Sequence, residues 1–553
     1  MFSMLMFGEA FAKSCGARNL RKSIILPFAI GLALRPAACQ TPAMAGDPVA
    51  CCSQARALMQ SLPKLKANSH DPVVLEPGRK QLFIDSSALQ KVENVDLKLH
   101  QPKKFGAVIR PDQPWESHAI QIRSAPVWSV EEKIWKIWYI GGRSCIALSH
   151  DGIHWTKPAL GKFQYQGSKE NNIVTPASDN RMNVVYDPDD PDPGRRYKAL
   201  AADPKGRRPA VSGDGVDWKV LDTPPILSSD ESSLYYDREN RLFIATVKHA
   251  GPYGRSVYLS LSRDFEHWTD PRDSLIFYAD QQDQELGTQR ILARFANSAL
   301  QAPELNVPEQ YNVDVYNMAV VRYEGMYLGL PAMFHQTGKV PKEWPGFARY
   351  KLSEEIDKAV HLYGDWTGFH QLELLSSRNL IHWEHTGQRE PFLDNSPVGS
   401  GAYDLQVVLP SPPVVRDNEL WFYYTGIRQY AYISSDMPDA GAICLAKLRL
   451  DGFVSLSAGS EPGNVVTKPF VLAGKNLHLN LDAPAGDIRV EVLDDATKQV
   501  LAGYSLQNSL AVTGDRLDAE VRWNKAKISS LIGRKVCFRF TLQNAHLYAF
   551  WVI

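Results

Sequence analysis

Ser149-His150-Asp151-Gly152-Ile153-His154-Trp155 closes an apolar strand, and the chain returns to the same pattern further on. The copies read Ser212-Gly213-Asp214-Gly215-Val216-Asp217-Trp218, Ser262-Arg263-Asp264-Phe265-Glu266-His267-Trp268 and Ser377-Arg378-Asn379-Leu380-Ile381-His382-Trp383. A decayed fifth keeps only Leu450-Asp451-Gly452-Phe453. A unit repeated at this spacing cannot bury its own apolar face, so its copies stack. The units are rich in strands, and the repeat therefore predicts an all-β fold built on a five-bladed β-propeller. Within the motif the Asp or Asn side chain accepts from nearby backbone N–H groups and Gly supplies positive φ. Asp151, Asp214 and Asp264 are thus read as turn residues rather than a catalytic set.

Outward from each copy, the blocks share one grammar. A polar or acidic start leads into an apolar strand, an Asp/Asn/Gly-rich hairpin, an aromatic strand, and the strand that ends in the repeat. The blocks begin near Glu116, Asn183, Asp230-Glu231, Asp314 and Tyr403-Asp404. From Trp268 to Trp383 the interval is about twice a normal blade. Two insertions account for it: a polar, helix-like stretch at 281–304 and a loop-like one at 339–365. The grammar stops near Ser457, and a tail with clean alternation, as at 487–493 and 536–540, predicts a separate β-sandwich. The expected boundaries are an export signal at 1–45, a loose leader or linker at 46–78, the propeller at 79–458 and the sandwich at 459–553.

Over 553 residues, Lys+Arg and Asp+Glu both total 61, so no net charge draws this chain to nucleic acid or an anionic membrane. Arg18, Arg21 and Lys22 precede an apolar stretch at 23–34 that is too short to span a bilayer, and Ala43-Met44-Ala45 offers a small-residue cleavage site. A secreted or periplasmic location follows, with lipid anchoring at Cys39 disfavoured by Pro36. Cleavage leaves Cys51, Cys52, Cys145, Cys444 and Cys537, an odd set without metal-ligand spacing, so neither a disulfide framework nor a zinc site is expected. P-loop, dinucleotide and nucleophile-elbow motifs do not occur. No cofactor is required. A structural calcium ion in the channel is compatible with the fold, but no motif demands it.

In a propeller the innermost strands line a central channel, so the residues that open each block converge at its mouth. Carboxylates stand at four of these five starts: Glu116, the Asp230/Glu231 pair, Asp314 and Asp404. Asn183 opens the remaining block, with Asp179 and Arg181 nearby. Several carboxylates around one pocket suit glycoside hydrolysis, in which a protonated acid serves the leaving oxygen and an ionised group serves water or the anomeric carbon. Mutual repulsion helps raise one pKa while another stays low. His118, Arg181, Asn183, Asn317, Gln406 and Asp230 are candidates to hold sugar hydroxyls, and Trp115, Tyr316 and Tyr403 candidates to stack on a ring.

The S-x-D-[LG]-x-x-W turn resembles that of the five-bladed glycoside hydrolases, the superfamily of families 32, 43 and 68 and the mannoside phosphorylases. Leu82-Phe83-Ile84-Asp85, Arg110-Pro111-Asp112-Gln113-Pro114-Trp115-Glu116, Gly167-Ser168-Lys169-Glu170-Asn171-Asn172-Ile173 and the tail from Thr467-Lys468-Pro469-Phe470 to Leu547-Tyr548 resemble a group of bacterial secreted glycosyl-hydrolase-like proteins. The resemblance implies an Asp on blade one, an Asp on blade two and a Glu acid on blade three. Here blade one offers Glu116 and blade two Asn183, and only Glu231 matches in residue type. The Arg-Asp-Pro and Glu-Cys signatures of invertase-like enzymes are missing.

The expected function is an exported glycosidase acting on an oligo- or polysaccharide, with Glu231 as general acid, Asp404 or Asp314 as base or nucleophile, and Glu116 tuning pKa or binding substrate. A non-catalytic glycan-binding protein is the rival from another class. A phosphorolytic enzyme is a third reading, kept alive by Arg181 and His118.

Overall fold

The structure is a computed structural model that describes residues 53–61, 73–175, 183–350, 354–430 and 439–553, together with Leu352 and Met437. The expected signal segment, Cys39, Asp179 and Arg181 lie outside the described residues. Five antiparallel sheets follow one another along the chain. Blade one holds Val127–Ser129, Ile134–Ile140 and Ser144–Ser149, and its inner strand is prolonged upstream by the bridge between Gln121 and Ile140. Blade two runs from Asn183–Tyr186 to Ile226–Leu227, blade three from Ser232–Asp237 to Leu275–Phe277, and blade four from Asn312–Tyr323 to Glu384–His385. Blade five comprises Val407–Pro410, Val414–Arg416, Glu419–Ile427 and Gly441–Arg449, and it takes its outermost strand, Lys103–Ile109, from the N-terminal side of the ring.

Each blade reaches the next. Trp138 Nε1 donates to Gly215 O (2.7 Å), Asn183 Nδ2 to Ser232 O (3.1 Å) and Thr246 Oγ1 to Met318 O (2.6 Å). His370 N donates to Gln406 O (2.8 Å), and Tyr423 Oη to Gly152 O (2.7 Å) brings blade five back to blade one. The sheets thus close into a propeller, which leaves only short, protected edges.

The repeated turns have one geometry. Ser149 Oγ accepts from Gly152 N (2.8 Å), Asp151 Oδ1 accepts from the N–H groups of Ile153 and His154 (both 2.8 Å), and Trp155 Nε1 donates to Gly152 O (3.1 Å). The bonds recur at Ser212/Asp214/Trp218 and Ser262/Asp264/Trp268, and Asn379 accepts in the same way in the fourth copy. The residue after the Asp or Asn takes the left-handed conformation in all four: Gly152 (φ 70°), Gly215 (φ 80°), Phe265 (φ 67°) and Leu380 (φ 63°).

An eleven-stranded sheet forms the C-terminal sandwich, and it includes chain from the other end. Gln81–Leu82 pairs with Ala545–Val552, Leu89–Glu93 with Gly463–Thr467, and Asp96–Leu99 with Val454–Ala458. The segment 79–99, placed with the propeller by its sequence, therefore belongs to the sandwich, as does 454–458. Local alternation names a strand but not its partner, which is why the boundary moved. The loose leader also needs correction. Ser53–Gln60 is a helix whose Ala55 and Met59 are buried against blades three and four. The insertion at 281–304 carries the helix Gln281–Ala296, as expected. The one at 339–365, expected as loop, holds a 3-10 turn at Pro345–Arg349 and the helix Glu354–Tyr363.

Candidate active site

The inner ends of blades one, three and four bring their charged residues together around Tyr316. Arg123, two residues beyond the Gln121–Ile140 bridge of blade one, grips Glu231 with two bonds, Nε to Oε2 (2.7 Å) and Nη2 to Oε1 (2.9 Å). Tyr316 Oη donates to the same Oε1 at 3.2 Å. Arg255 pairs with Asp314 in the same way, Nε to Oδ2 (2.8 Å) and Nη2 to Oδ1 (2.9 Å), and Gln336 Nε2 adds a third bond at 2.9 Å. Lys248 Nζ reaches Asp230 Oδ2 at 2.9 Å and lies 3.8 Å from the centroid of the Tyr316 ring. The Arg255 guanidinium stands 5.1 Å from that centroid. Positive charge over a ring face is attractive, so Tyr316 ties both carboxylate pairs into one cluster.

The local electrostatics follow from burial and pairing. Burial works against the charge of Arg123, but the Glu231 carboxylate outweighs it and raises the pKa. Burial also works against Arg255, and Asp314 prevails there in the same direction. At Lys248 burial wins over Asp230 and lowers the pKa. Burial, then the negative charges of Glu231 and Asp230, pushes Tyr316 well above the usual phenol range. His370 stacks on Phe334 (4.5 Å) and meets the Tyr316 edge (5.1 Å), and burial with Arg255 nearby holds it neutral. Neither of its ring nitrogens, nor either amide atom of Asn317, has a hydrogen-bond partner among the described residues. A cavity of about 10 Å³ between Glu231, Lys248, Tyr316 and Asn317 has room for about one water.

Of the sequence candidates, the structure joins Glu231, Asp230, Asp314, Tyr316 and Asn317. It does not bring Glu116 or Asp404 to them. Glu116 accepts from Tyr139 Oη (2.5 Å), Lys157 Nζ (2.8 Å) and the backbone N–H groups of Asp112 and Gln113, a fully engaged hub in the wall of blade one. Asp404 accepts from Lys104 (2.7 Å) and Tyr424 Oη (3.1 Å), and Lys104 stands on the outermost strand of blade five. Trp115 donates to Asn172 and meets Tyr165, away from the axis, and Asn183 binds Ser232 of the next blade. Tyr403 is buried under Arg428 and Arg110 and donates to Asp439, so its ring offers no open face. Gln406 holds the backbone of Ala302 and Tyr430. His118 is half-buried, and its carbonyl accepts from Gly441 N (3.1 Å). The expectation that Glu231 donates a proton also changes. Its two oxygens accept from a guanidinium fork, which is the geometry of an ionised carboxylate.

Arg123, Lys248, Arg255, Asp365 and His370 were absent from the sequence reading. Arg123 ends the mostly apolar run 119–122 and Lys248 interrupts an apolar strand, a signal that a charged side chain faces something other than a dry core. Asp365 opens the strand Asp365–Leu372, and burial pushes its carboxyl up to about 7, against the Trp366 N–H and the charge of Arg255. No local feature distinguishes it from an acid in a loop. Elsewhere, Asp280, Asp283 and His385 place ligand atoms within 4.8 Å of one another. Arg389 already donates to both carboxylates, so its guanidinium takes the place a cation would occupy.

No protein-family model matches the sequence, and no curated protein matches it. Among solved structures, one described as a glycoside hydrolase is 13% identical, covering 63% of this chain and 92% of its own, with a TM-score of 0.36. An N-acetylgalactosamine deacetylase from F. plautii, in complex with blood group B trisaccharide, is 15% identical over 65% of this chain and 96% of its own, with a TM-score of 0.38. A structure from the GH130 family of mannoside phosphorylases, which contains hydrolases of β-1,2 mannosidic linkages in Candida mannan, is 14% identical over 64% and 94%, with a TM-score of 0.33. At such identities and TM-scores these structures assign nothing to this chain, and its fold and residue roles rest on its own geometry. No helix among the described residues is long and apolar enough to cross a membrane.

Proposed function

We propose that this chain is a secreted glycoside hydrolase that cleaves an oligo- or polysaccharide at the mouth of the propeller. The observation that carries the reading is the meeting of Glu231 and Asp314, from different blades, around Tyr316 and its three cations. Hydrolysis of an acetal needs an ionised carboxylate to activate water or attack the anomeric carbon. Glu231 and Asp314 are the candidates for that task, with Arg123 and Arg255 each orienting one of them through two hydrogen bonds. Asp230 and Lys248 supply hydrogen-bonding groups for sugar hydroxyls. Glu116 and Asp404 take structural roles here, because both are consumed by contacts inside their own blades.

The test is a panel of plant and algal glycans presented to the purified protein beside Glu231→Gln and Asp314→Asn. Each variant is expected to lose about 10²–10⁴-fold in kcat. Full activity in both would remove the site, and glycan binding without turnover by the parent protein would make it a binding protein instead. Release of a sugar phosphate only in the presence of phosphate would point to phosphorolysis.

A further inference from the structure

We propose that the outer wall of the ring, between blades three and four, carries a saccharide-binding cleft separate from the Tyr316 cluster, and that its ligand is an uncharged glycan chain. An open cavity of about 890 Å³ lies between the outermost strand of blade three, Leu275–Phe277, the helix Gln281–Ala296, and the chain of blade four from Ile381 to Arg389. Small-molecule sites run from about 300 to 1,000 Å³, so the cleft has the volume of a ligand site. None of its lining residues belongs to the Tyr316 cluster.

The walls are apolar and anchored. Ile276, Phe277 and Ile381 are buried in the core shared by blades three and four, and Trp383 packs half-exposed against that core. Trp383 Nε1 donates to Leu380 O (2.9 Å), and a Cβ on Gly329 would lie 2.9 Å from Trp383 Cζ3. The strand Met326–Val340 thus backs the indole, whose exposed part lines the cleft beside Tyr278. Aromatic rings fixed in this way bury the apolar C–H face of a sugar.

The floor is charged but internally paired. Arg389 donates to Asp280 Oδ1 (2.9 Å) and Oδ2 (2.7 Å) and also to Asp283. Glu373 accepts from Arg290 Nη1 (2.8 Å) and bonds His385 Nδ1 (3.0 Å). Arg290 Nη2 donates to Arg389 O, which fixes a turn whose Gln388 and Arg389 both take left-handed φ, 55° and 66°. These charges neutralise one another, so the floor does not demand an ionic ligand.

Around the rim, Gln282, His382, Glu384 and Gln388 are exposed, and their side chains make no hydrogen bond among the described residues. Two amides, an imidazole and a carboxylate offer both donors and acceptors, as sugar hydroxyls do. The lining charges are Arg389 against Asp280 and Glu384, so there is no positive excess to hold a uronate or sulfated chain. Aromatic faces, free polar groups and the lack of that excess together select a neutral polysaccharide.

Affinity electrophoresis in gels containing soluble xyloglucan, galactomannan or mixed-linkage β-glucan, with polygalacturonate as the anionic control, tests the cleft without turnover. The parent is expected to be retarded by at least one neutral polymer and not by polygalacturonate, and Glu231→Gln to be retarded equally. Gln282→Ala combined with Gln388→Ala breaks no hydrogen bond within the fold and should raise the dissociation constant about tenfold. Trp383→Ala should abolish retardation, with its unfolding midpoint read alongside. No retardation of the parent by any neutral polymer, retardation by polygalacturonate, or unchanged affinity in the double variant would overturn the cleft. Binding lost in Glu231→Gln and kept in the double variant would return the glycan to the channel, overturning the cleft while leaving the glycosidase reading in place. Binding at the cleft by a parent without turnover would do the reverse. A parent that elutes as a dimer, with the double variant a monomer, would assign the cleft to a second copy of the chain and overturn the saccharide.

Discussion

Arg123 and Glu231 bury opposite charges against each other, with side-chain exposures of 2% and 6%. A pair this dry is held by Coulomb attraction and geometry against a large desolvation cost. Removing one partner leaves the other charged in a low-dielectric wall. Arg123→Ala is therefore expected to destabilise the fold by about 3–5 kcal/mol, read from the midpoint of denaturant unfolding. Replacing both residues together, as Arg123→Met with Glu231→Leu, should recover most of that loss while abolishing activity. Retained stability in Arg123→Ala alone would show that the pair is wetter than this geometry implies. At this scale the sequence was an uneven guide. Glu231 and Asp314 were visible as acids opening apolar strands, but so were Glu116 and Asp404, and identical local patterns ended in different surroundings.

The repeated turn shows what an element requires and what it tolerates. Its Asp/Asn and Trp bonds recur in every full copy, whereas its left-handed position is Gly twice, Phe once and Leu once. The difference lies in the neighbouring blade. A Cβ on Gly215 would lie 2.4 Å from Trp138 Cζ2, and one on Gly152 would lie 2.7 Å from Tyr423 Oη. Phe265 and Leu380, both fully buried, instead send their own side chains into the core. Gly215→Ala is expected to cost about 3 kcal/mol, from the left-handed penalty of about 1–2 and overpacking of about 1–3. Gly161 has φ +69° and open space around its Cβ position, so Gly161→Ala should cost only the first of these. Thermal unfolding of the two variants side by side separates strain from collision, and equal losses would refute the packing argument.

For the molecule as a whole, the junction of propeller and sandwich decides integrity. Asp451, the left-handed residue of the decayed fifth turn, accepts from Lys80 (2.6 Å), Tyr323 Oη (2.6 Å) and Asn480 (2.8 Å), which joins blade four, blade five and the sandwich. The N-terminal strands between 81 and 99 pair only with the C-terminal sheet. A chain ending at residue 458 is therefore expected to expose unpaired strand edges and aggregate, whereas the intact chain elutes as a defined species on size exclusion. A soluble, folded truncation would argue that the sandwich is dispensable. The same junction is sensitive to acid. His100 binds Ser455 Oγ (2.7 Å), and burial, then the charges of His546 and Lys98, lowers its pKa to about 4. Between pH 6.5 and about 4 the unfolded chain takes up more protons than the folded one, so stability falls with acidification. His100→Gln should flatten that part of the melting profile.

The sequence by itself determined the repeating unit, the number of blades, the turn chemistry and the change of grammar near Ser457, because each is written in contiguous residues and their local bonding. Only the tertiary structure decided which end of the chain completes blade five, which strands the sandwich captures, and which acids share a pocket. Those outcomes depend on pairings between segments hundreds of residues apart, where alternation and composition carry no address.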